Sequence, residues 1–203
     1  MKIVIVDYGM GNLKSISSVL TYLGVNTVSI SAEYNDLENA DKVILPGVGS
    51  FGKAMAEIRD RKIDGYLQTL VMEKRKPLLG ICLGMQLLGL SSTEDGINQG
   101  LGFVEGHVTK FDSKKMKVPH VGFNQVRTNE NLRLYKNIAD NADFYFTHSY
   151  RMMSHQNINQ SLCNYNGDFI AGFEVDNVAG VQFHPELSQH NGLKLLKNFI
   201  DTF

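Results

Sequence analysis

Residues 77–88 encode a sharp turn between a strand and a helix, which we call the elbow. This turn constrains the fold more than any other segment. The apolar stretch 78–81 is followed by Cys82, which lies between Gly80 and Gly84. Glycines at these two positions remove Cβ atoms that would crowd such a turn, so the cysteine can stand at the edge of a sheet. A thiol at a helix N-terminus is also favoured as the thiolate. The pattern indicates a nucleophilic cysteine, although free cysteines are also common in apolar cores.

A second pattern near the C-terminus supplies the groups that a thiol nucleophile needs. Residues 177–183 are predicted as a strand that runs directly into His184-Pro185-Glu186. In extended chain, residues two apart point to the same side, so we expect His184 and Glu186 to face one site. The imidazole would exchange a proton with the thiol and the leaving group, and the carboxylate would fix the tautomer of the imidazole. Taken separately, each residue also fits a structural role, as a core histidine and a surface acid.

The order of the predicted elements indicates an α/β fold with a parallel sheet. The first half alternates strands at 2–6, 25–30, 42–45 and 78–81 with helices at 12–23, 53–59, 63–75 and after the elbow. From residue 103 the pattern changes to short β-rich pieces, typical of an antiparallel or mixed region, at 103–111, 124–128, 144–150, 161–165 and 169–174. A final amphipathic helix over 191–202 should pack on the sheet. Since no linker or repeat interrupts the chain, we expect one domain over residues 1–203.

Composition excludes several classes of function. The chain has 203 residues, 43% of them hydrophobic, and a formal net charge of −1 without a basic stripe, so nucleic acid is not an expected partner. The apolar run at 3–6 is too short for a signal peptide or a membrane span. The histidines lack a metal-ligand spacing, so neither a metal nor another cofactor is expected. Cys163 is expected to be a structural thiol, and a free Cys82 fits a reducing cytoplasm best.

The elbow and the His-x-Glu pair resemble those of the class I glutamine amidotransferases. Four further blocks, in the same order, are similar to the HisH-type glutaminase subunits of imidazole glycerol phosphate synthase: 7–12, 46–52, 119–124 and 145–150. The resemblance covers nearly the whole chain. It implies the flavodoxin-like fold of this class, with a mostly parallel central sheet flanked by helices and a smaller mixed or antiparallel region in the second half.

The resemblance also implies the chemistry. Cys82, His184 and Glu186 would hydrolyse glutamine to glutamate and ammonia through a Cys thioester. One oxyanion donor is expected at the N–H of Leu83, directly after the nucleophile. By resemblance, the other comes from Gly47-Val48-Gly49, where Val48 and Gly49 would form the oxyanion strand and Gly47 would contact the substrate. An ordinary strand-to-helix turn also fits this glycine segment.

Further residues are implied to hold the glutamine by its α-amino and α-carboxylate groups. By resemblance these are Gln86, Glu94 and the backbone of His148, Ser149 and Tyr150. Alternatives stay open for several of them. Gln86 also fits a helix-capping or solvated position, and Ser149 and Tyr150 also fit a strand.

Ammonia released into water would be protonated and lost as a nucleophile, so a synthase partner is implied. In the resembled family the partner is a (β/α)₈ cyclase that forms a heterodimer with the glutaminase, and together they make imidazole glycerol phosphate and AICAR-phosphate in histidine biosynthesis. Asn12, Phe123 and Leu187 are expected to face this partner. Two of them depart from the family pattern, because Phe123 replaces the usual tryptophan and Leu187 the usual lysine.

These departures leave the ammonia acceptor open. An alternative is a glutaminase subunit that supplies an amidotransferase acting on nucleotide-linked sugars of surface polysaccharides. An inactive scaffold or binding subunit and a cysteine peptidase are alternatives of other classes. An inactive subunit would be expected to lack one of Cys82, His184 and Glu186, and this chain has all three.

Overall fold

The computed structural model describes residues 1–128 and 132–203, which form thirteen strands and six α-helices. The strands are β1 (Lys2–Val6), β2 (Thr27–Ser31), β3 (Lys42–Leu45), β4 (Leu78–Ile81), β5 (Ser91–Ser92), β6 (Asn98–Gln99), β7 (His107–Lys110), β8 (His120–Arg127), β9 (Ala142–His148), β10 (Tyr150–Met153), β11 (Gln160–Asn164), β12 (Asp168–Val175) and β13 (Val178–Val181). The helices are α1 (Leu13–Tyr22), α2 (Tyr34–Glu38), α3 (Phe51–Asp60), α4 (Ile63–Leu67), α5 (Leu83–Leu87) and α6 (Gln189–Thr202). A π-helical segment, Gln68–Glu73, extends α4, and 3₁₀ turns lie at Arg133–Tyr135 and Pro185–Leu187.

Nine strands form one sheet in the order β2-β1-β3-β4-β13-β12-β11-β8-β9. The first five strands of this order are parallel, and every pair from β13 to β9 is antiparallel. Strands β3, β4 and β13 are buried at every residue, as expected for parallel strands that helices cover on both faces. The predicted fold class is confirmed, and the antiparallel strands of the second half extend the same sheet.

Apolar side chains pack against both faces of the large sheet. On one face, α1 and α6 contribute buried residues such as Leu20 and Phe199. On the other face, α3 and α4 contribute Ile58 and Leu67. Within residues 1–128 and 132–203, no helix is long and apolar enough to cross a bilayer.

A second sheet of four strands has the order β10-β7-β5-β6. It joins the large sheet through Ser149, because His148 ends β9 and Tyr150 begins β10. The carbonyl oxygen of Ser149 accepts a hydrogen bond from the backbone N–H of Phe111, which directly follows β7, at 3.0 Å. The chain therefore passes from the large sheet to the small one within a single residue.

The centre of the parallel half positions the elbow. Strand β4 lies between β3 and β13, with Gly80 opposite Leu45 on one side and Ile81 opposite Val181 on the other. Parallel strands present their carboxyl ends at one edge, where ligands of open α/β sheets bind. The segments that follow β3, β4 and β13 therefore meet at this edge.

Most predicted elements are present, with shifts at their ends. The strands at 2–6, 42–45 and 78–81 have the predicted bounds. The helix predicted over 63–75 is α-helical only to Leu67 and then widens into the π-helical segment. Helix α2 and the two-residue strands β5 and β6 were not predicted, because such short elements carry too little periodic pattern.

We predict that Gly84→Ala strongly destabilises the protein. A Cβ at Gly84 would lie 1.8 Å from the carbonyl oxygen of Leu45, and backbone on both sides would have to move. We expect a loss of about 3 kcal/mol in the free energy of unfolding, measured by urea denaturation. The control is Gly65→Ala in α4, where a Cβ meets nothing within 4 Å. That variant should gain about 0.5–1 kcal/mol, and equal stabilities for the two variants would contradict the steric argument.

Candidate active site

A cavity of about 360 Å³ opens at the carboxyl edge of β3, β4 and β13. It is lined by Val48, Gly49, Cys82, Leu83, Gln86, Glu94, Pro119, Thr147, His148, Ser149, Tyr150 and His184. Two predicted residues do not line it: Gly47 lies directly before Val48, and Glu186 lies behind His184. The structure therefore brings the residues predicted for catalysis and for glutamine binding to one place.

The elbow holds Cys82 in a strained backbone conformation. Its φ is 55° and its ψ is −111°, and helix α5 begins at the next residue. The backbone N–H of Cys82 donates to the carbonyl oxygen of Val181 at 2.8 Å, which ties the turn to strand β13. A Cβ at Gly80 would lie 2.8 Å from the Cα of Met85, so the helix can turn back over the strand only because residue 80 is glycine. Strain of this kind costs about 1–3 kcal/mol and persists only where the surroundings fix it.

His184 and Glu186 form a buried pair beside the thiol. Nδ1 of His184 lies 2.9 Å from Oε1 of Glu186, and the carboxylate side chain is fully buried. Nδ1 therefore carries a proton and donates it to the carboxylate. Nε2 of His184 is also buried and has no hydrogen-bond partner among residues 1–128 and 132–203.

The pairing of His184 with Glu186 arises from a turn rather than from extended chain. Strand β13 ends at Val181, and Glu186 lies in the 3₁₀ turn Pro185–Leu187. The expectation that the predicted strand runs into this segment is therefore wrong, although the two side chains do meet. Ser188 closes the turn, since its hydroxyl donates to the carbonyl oxygen of His184 at 2.6 Å.

Two opposing effects act on the pKa of His184. Burial lowers it, whereas the neighbouring Cys82 and the Glu186 carboxylate raise it. The two partners outweigh the burial, so the pKa of His184 lies well above its ordinary value. The arrangement favours an imidazolium at His184, beside the sulfur of Cys82.

Tyr8 holds the segment that follows β3 against the elbow. Its hydroxyl group is fully buried and donates to the carbonyl oxygen of Pro46 at 2.6 Å. A Cβ at Gly47 would lie 2.9 Å from the Cβ of Leu83, so the two segments approach closely only because residue 47 is glycine. The backbones of Val48 and Leu83 consequently line the same cavity from two sides.

Gln86 makes internal hydrogen bonds with both N–H groups of its side-chain amide. Its Nε2 donates to the carbonyl oxygen of Tyr150 at 3.0 Å and to Oε1 of Gln182 at 2.8 Å. The Nε2 of Gln182 in turn lies 3.8 Å from the sulfur of Cys82. Gln86 can therefore offer a ligand only its Oε1 atom, which is an acceptor.

Two hydrogen-bonded histidines, His148 and His120, approach the carbonyl group of Tyr150 from the side opposite Gln86. Nδ1 of His148 donates to the carbonyl oxygen of Tyr150 at 2.8 Å, so Nε2 of His148 accepts from Nδ1 of His120 at 3.0 Å. Nε2 of His120 then accepts from the side-chain amide of Asn124 at 3.3 Å. Burial lowers the pKa of His120 to about 4 and that of His148 to about 3. Both rings are neutral at neutral pH, each in one tautomer.

Among the described residues that line the cavity, Glu94 is the one with a carboxylate side chain. Its Oε2 accepts a hydrogen bond from the backbone N–H of Phe51, the first residue of α3, at 2.7 Å. Burial raises the pKa of Glu94 above its ordinary value. The side chain is thus anchored at one oxygen at the rim of the cavity.

The three residues predicted to face a partner are exposed. Phe123 is 49% and Leu187 is 43% exposed, and Asn12 is exposed as well. Their role stays a prediction. In the part of the chain that the structure describes, no three histidine, cysteine or acidic side chains are grouped to hold a metal ion.

Sequence reasoning missed several polar residues of this site. The sequence places Gln182 within the predicted strand 177–183 without a role, and no role is predicted for His120. The available signal was a lone glutamine between Val181 and Phe183, because a polar residue inside an apolar run is buried only when it is hydrogen-bonded. Tyr8 carried no such signal.

The elbow, the sheet order and the cavity are those of a class of thiol enzymes that act on amides. Residues 4–203 match the family model described as "Glutamine amidotransferase class-I". A solved structure described as PurLQS from Thermotoga maritima has a TM-score of 0.71 and 21% sequence identity, over 98% of this chain and 97% of that chain. At this identity, the likeness supports the fold alone.

Curated relatives define the family more narrowly. The chain is 40% identical over 202 residues to imidazole glycerol phosphate synthase subunit HisH 2 of Vibrio vulnificus, covering 99% of this chain and 94% of the relative. It is 41% identical over 200 residues to subunit HisH of Leptospira interrogans, covering 96% and 97%. The chain belongs to this HisH family within the class I glutamine amidotransferases. The resemblance and the enzyme class predicted from the sequence are confirmed.

We predict that mild acid destabilises the fold through His120 and His148. Unfolded histidines titrate near pH 6.5, whereas the folded rings stay neutral to about pH 4, so the unfolded chain binds more protons as the pH falls. The stability that these rings contribute is complete above pH 6.5 and is lost below it. Urea unfolding should show a loss of about 3 kcal/mol between pH 7 and pH 5.

The matched variants are His120→Gln and His155→Gln. The first removes one buried ring and should reduce the pH dependence by about half, whereas the second changes an exposed residue and should leave it unchanged. If the free energy of unfolding of His120→Gln fell with pH as steeply as that of the unmodified protein, the acid sensitivity could not be assigned to this pair.

Proposed function

We propose that this chain is the glutaminase subunit of imidazole glycerol phosphate synthase and forms one glutamine amidotransferase domain over residues 1–203. The observation that carries the proposal is the elbow thiol of Cys82 beside the buried, unpartnered Nε2 of His184, in a cavity large enough for an amino acid. The names of the relatives, which are synthase subunits, support the pathway. The substrate is glutamine, and the products are glutamate and ammonia.

Glutamine would bind by its charged main-chain groups. The α-ammonium fits the acceptors at Glu94 and Oε1 of Gln86, because both line the cavity and the N–H groups of Gln86 are already used. The α-carboxylate fits the backbone N–H groups of the segment 148–150, which forms the opposite wall. The side-chain amide then points toward Cys82.

The chemistry proceeds in two halves. The Cys82 thiolate attacks the amide carbon and forms a C–S bond, and the N–H groups of Leu83 and of the Val48–Gly49 segment stabilise the oxyanion, each for about 3 kcal/mol. The C–N bond breaks as His184 gives its proton to the leaving nitrogen, which departs as ammonia. Water then adds to the thioester while His184 takes its proton, and glutamate leaves as the thiolate re-forms. Glu186 keeps the imidazole in one tautomer throughout.

The ammonia needs an acceptor site that excludes water, since free ammonia would be protonated. We propose a (β/α)₈ cyclase as the partner, in a heterodimer that makes imidazole glycerol phosphate and AICAR-phosphate for histidine synthesis. The exposed side chains of Asn12, Phe123 and Leu187 would contact it.

Both cysteines are free thiols, which supports a cytoplasmic location.

A second candidate keeps the glutaminase and changes the acceptor. Phe123 and Leu187 are exposed and apolar where the family usually has tryptophan and lysine, so the usual contacts with a cyclase would be lost. The subunit would then supply ammonia to an amidotransferase for surface-polysaccharide nucleotide sugars. An inactive scaffold is disfavoured, because Cys82, His184 and Glu186 are present and in contact.

We predict that Cys82→Ala lowers glutamine hydrolysis by about 10⁴-fold or more, because no other group can form the thioester. The assay is glutamate release in the assembled complex. Cys163→Ala is the control, since Cys163 is buried in strand β11 away from the cavity. Residual activity of Cys82→Ala near the level of the unmodified protein would exclude Cys82 as the nucleophile.

We predict that a histidine-pathway cyclase from the same organism, loaded with its ribulose-phosphate substrate, strongly stimulates glutamate release. The measurement compares the chain alone, with the empty cyclase and with the loaded cyclase. Absence of stimulation, together with covalent labelling of Cys82 by a glutamine-like electrophile, would keep the glutaminase and favour the surface-sugar acceptor. Absence of both would contradict the proposed function.

A further inference from the structure

Gln182 is a buried polar residue that the proposed reaction does not use. Its side chain is fully buried between strand β13 and His184, and its backbone N–H donates to the carbonyl oxygen of Ala171 at 2.8 Å. Burying an amide costs free energy unless it is hydrogen-bonded. Both polar atoms of the Gln182 side chain have partners, namely Gln86 and Cys82.

The direction of these hydrogen bonds follows from a backbone carbonyl group. The carbonyl oxygen of Tyr150 can only accept, so the atom of Gln86 that faces it must be the nitrogen. The same nitrogen faces Gln182, whose nearer atom must therefore be the oxygen. The remaining nitrogen of Gln182 then points its N–H at the sulfur of Cys82. Turning either side-chain amide by 180° would break at least one of these three contacts.

Other titratable groups lie on the same side of the protein as the sulfur, and Glu94 and His148 line the cavity with it. His184, with Glu186 behind it, faces the thiol from the segment after β13, and Tyr8 faces it from the segment after β1. Burial, together with the charge at Cys82, raises the pKa of Tyr8, so its hydroxyl group stays protonated and donates to Pro46. Gln182 is therefore the uncharged side-chain donor that is directed at Cys82 from inside the protein.

We infer that Gln182 is a positioning residue for the nucleophile: its N–H stabilises the Cys82 thiolate, and the carbonyl group of Tyr150 fixes its direction through Gln86. A hydrogen-bond donor favours the charged form of sulfur over the neutral thiol. The inference rests on the proposed function only in taking Cys82 as the nucleophile. It adds that the residue implied in glutamine binding, Gln86, also determines how the thiolate is held.

The test measures the reactivity of the Cys82 thiol directly, without glutamine or a partner. The rate of alkylation of Cys82 by iodoacetamide is followed from pH 4 to pH 10, in a Cys163→Ala background so that one thiol reacts. Gln182→Met removes the donor at similar volume. The acid limb, where the alkylation rate rises with pH, should move up by about one pH unit, so that alkylation at a given pH on this limb is about tenfold slower. Gln182→Leu also removes the donor without adding a charge, and it should move the acid limb by a similar amount.

The control is Ser161→Ala, which removes another buried polar group. Ser161 is hydrogen-bonded to Tyr135, so its loss should lower stability and leave the pH profile of alkylation unchanged. Profiles of both Gln182 variants that coincide with that of the unmodified protein would overturn the inference and leave Gln182 a structural residue. Should Gln182→Met fail to fold, Gln182→Leu alone still decides, because it removes the donor without adding a charge and a purely structural role predicts no shift in its profile. A failure of glutaminase activity in the parent protein would leave this result unaffected, so the two proposals fail separately.

Discussion

The site depends on a contact between two backbones that leaves no room for side chains. Leu45 ends strand β3, and its carbonyl oxygen occupies the space where a Cβ of Gly84 would lie, while a Cβ at Gly47 would lie 2.9 Å from the Cβ of Leu83. Because residues 47 and 84 are both glycine, the segment after β3 can lie directly on the first turn of α5. The strained conformation of Cys82 and the position of Val48 follow from this contact.

Hydrogen bonds complete the site from the opposite wall. The carbonyl oxygen of Tyr150 accepts from Gln86 and from His148, so two polar chains meet at one atom. One chain continues through Gln182 to the sulfur of Cys82, and the other continues through His120, the first residue of strand β8, to Asn124. The whole network is made of neutral groups with fixed donor directions. Among the described residues, the ionisable groups at this site outside the network are Cys82, His184 with Glu186 behind it, and Glu94 at the rim.

The sequence was sufficient to predict the elements whose signal is local. Strands β1, β3 and β4 are continuous apolar runs, and the elbow is marked by glycines on both sides of Cys82, so each could be placed without knowing its neighbours. The role of Gln182 could not be predicted, because its amide direction is set by a carbonyl group on another sheet. The contact between His184 and Glu186 was expected for the wrong reason, since the 3₁₀ turn that creates it depends on closure by Ser188.

Ser149, which lines the cavity, is also the one residue that connects strand β9 of the large sheet to strand β10 of the small sheet. His148 is fixed to the edge of the large sheet and Tyr150 to the small one, with a single residue between them. Any rotation of one sheet against the other must be absorbed by the backbone torsions of this residue. The backbone N–H groups of residues 148–150 would then change direction. The shape of this wall of the cavity therefore depends on the relative orientation of the two sheets.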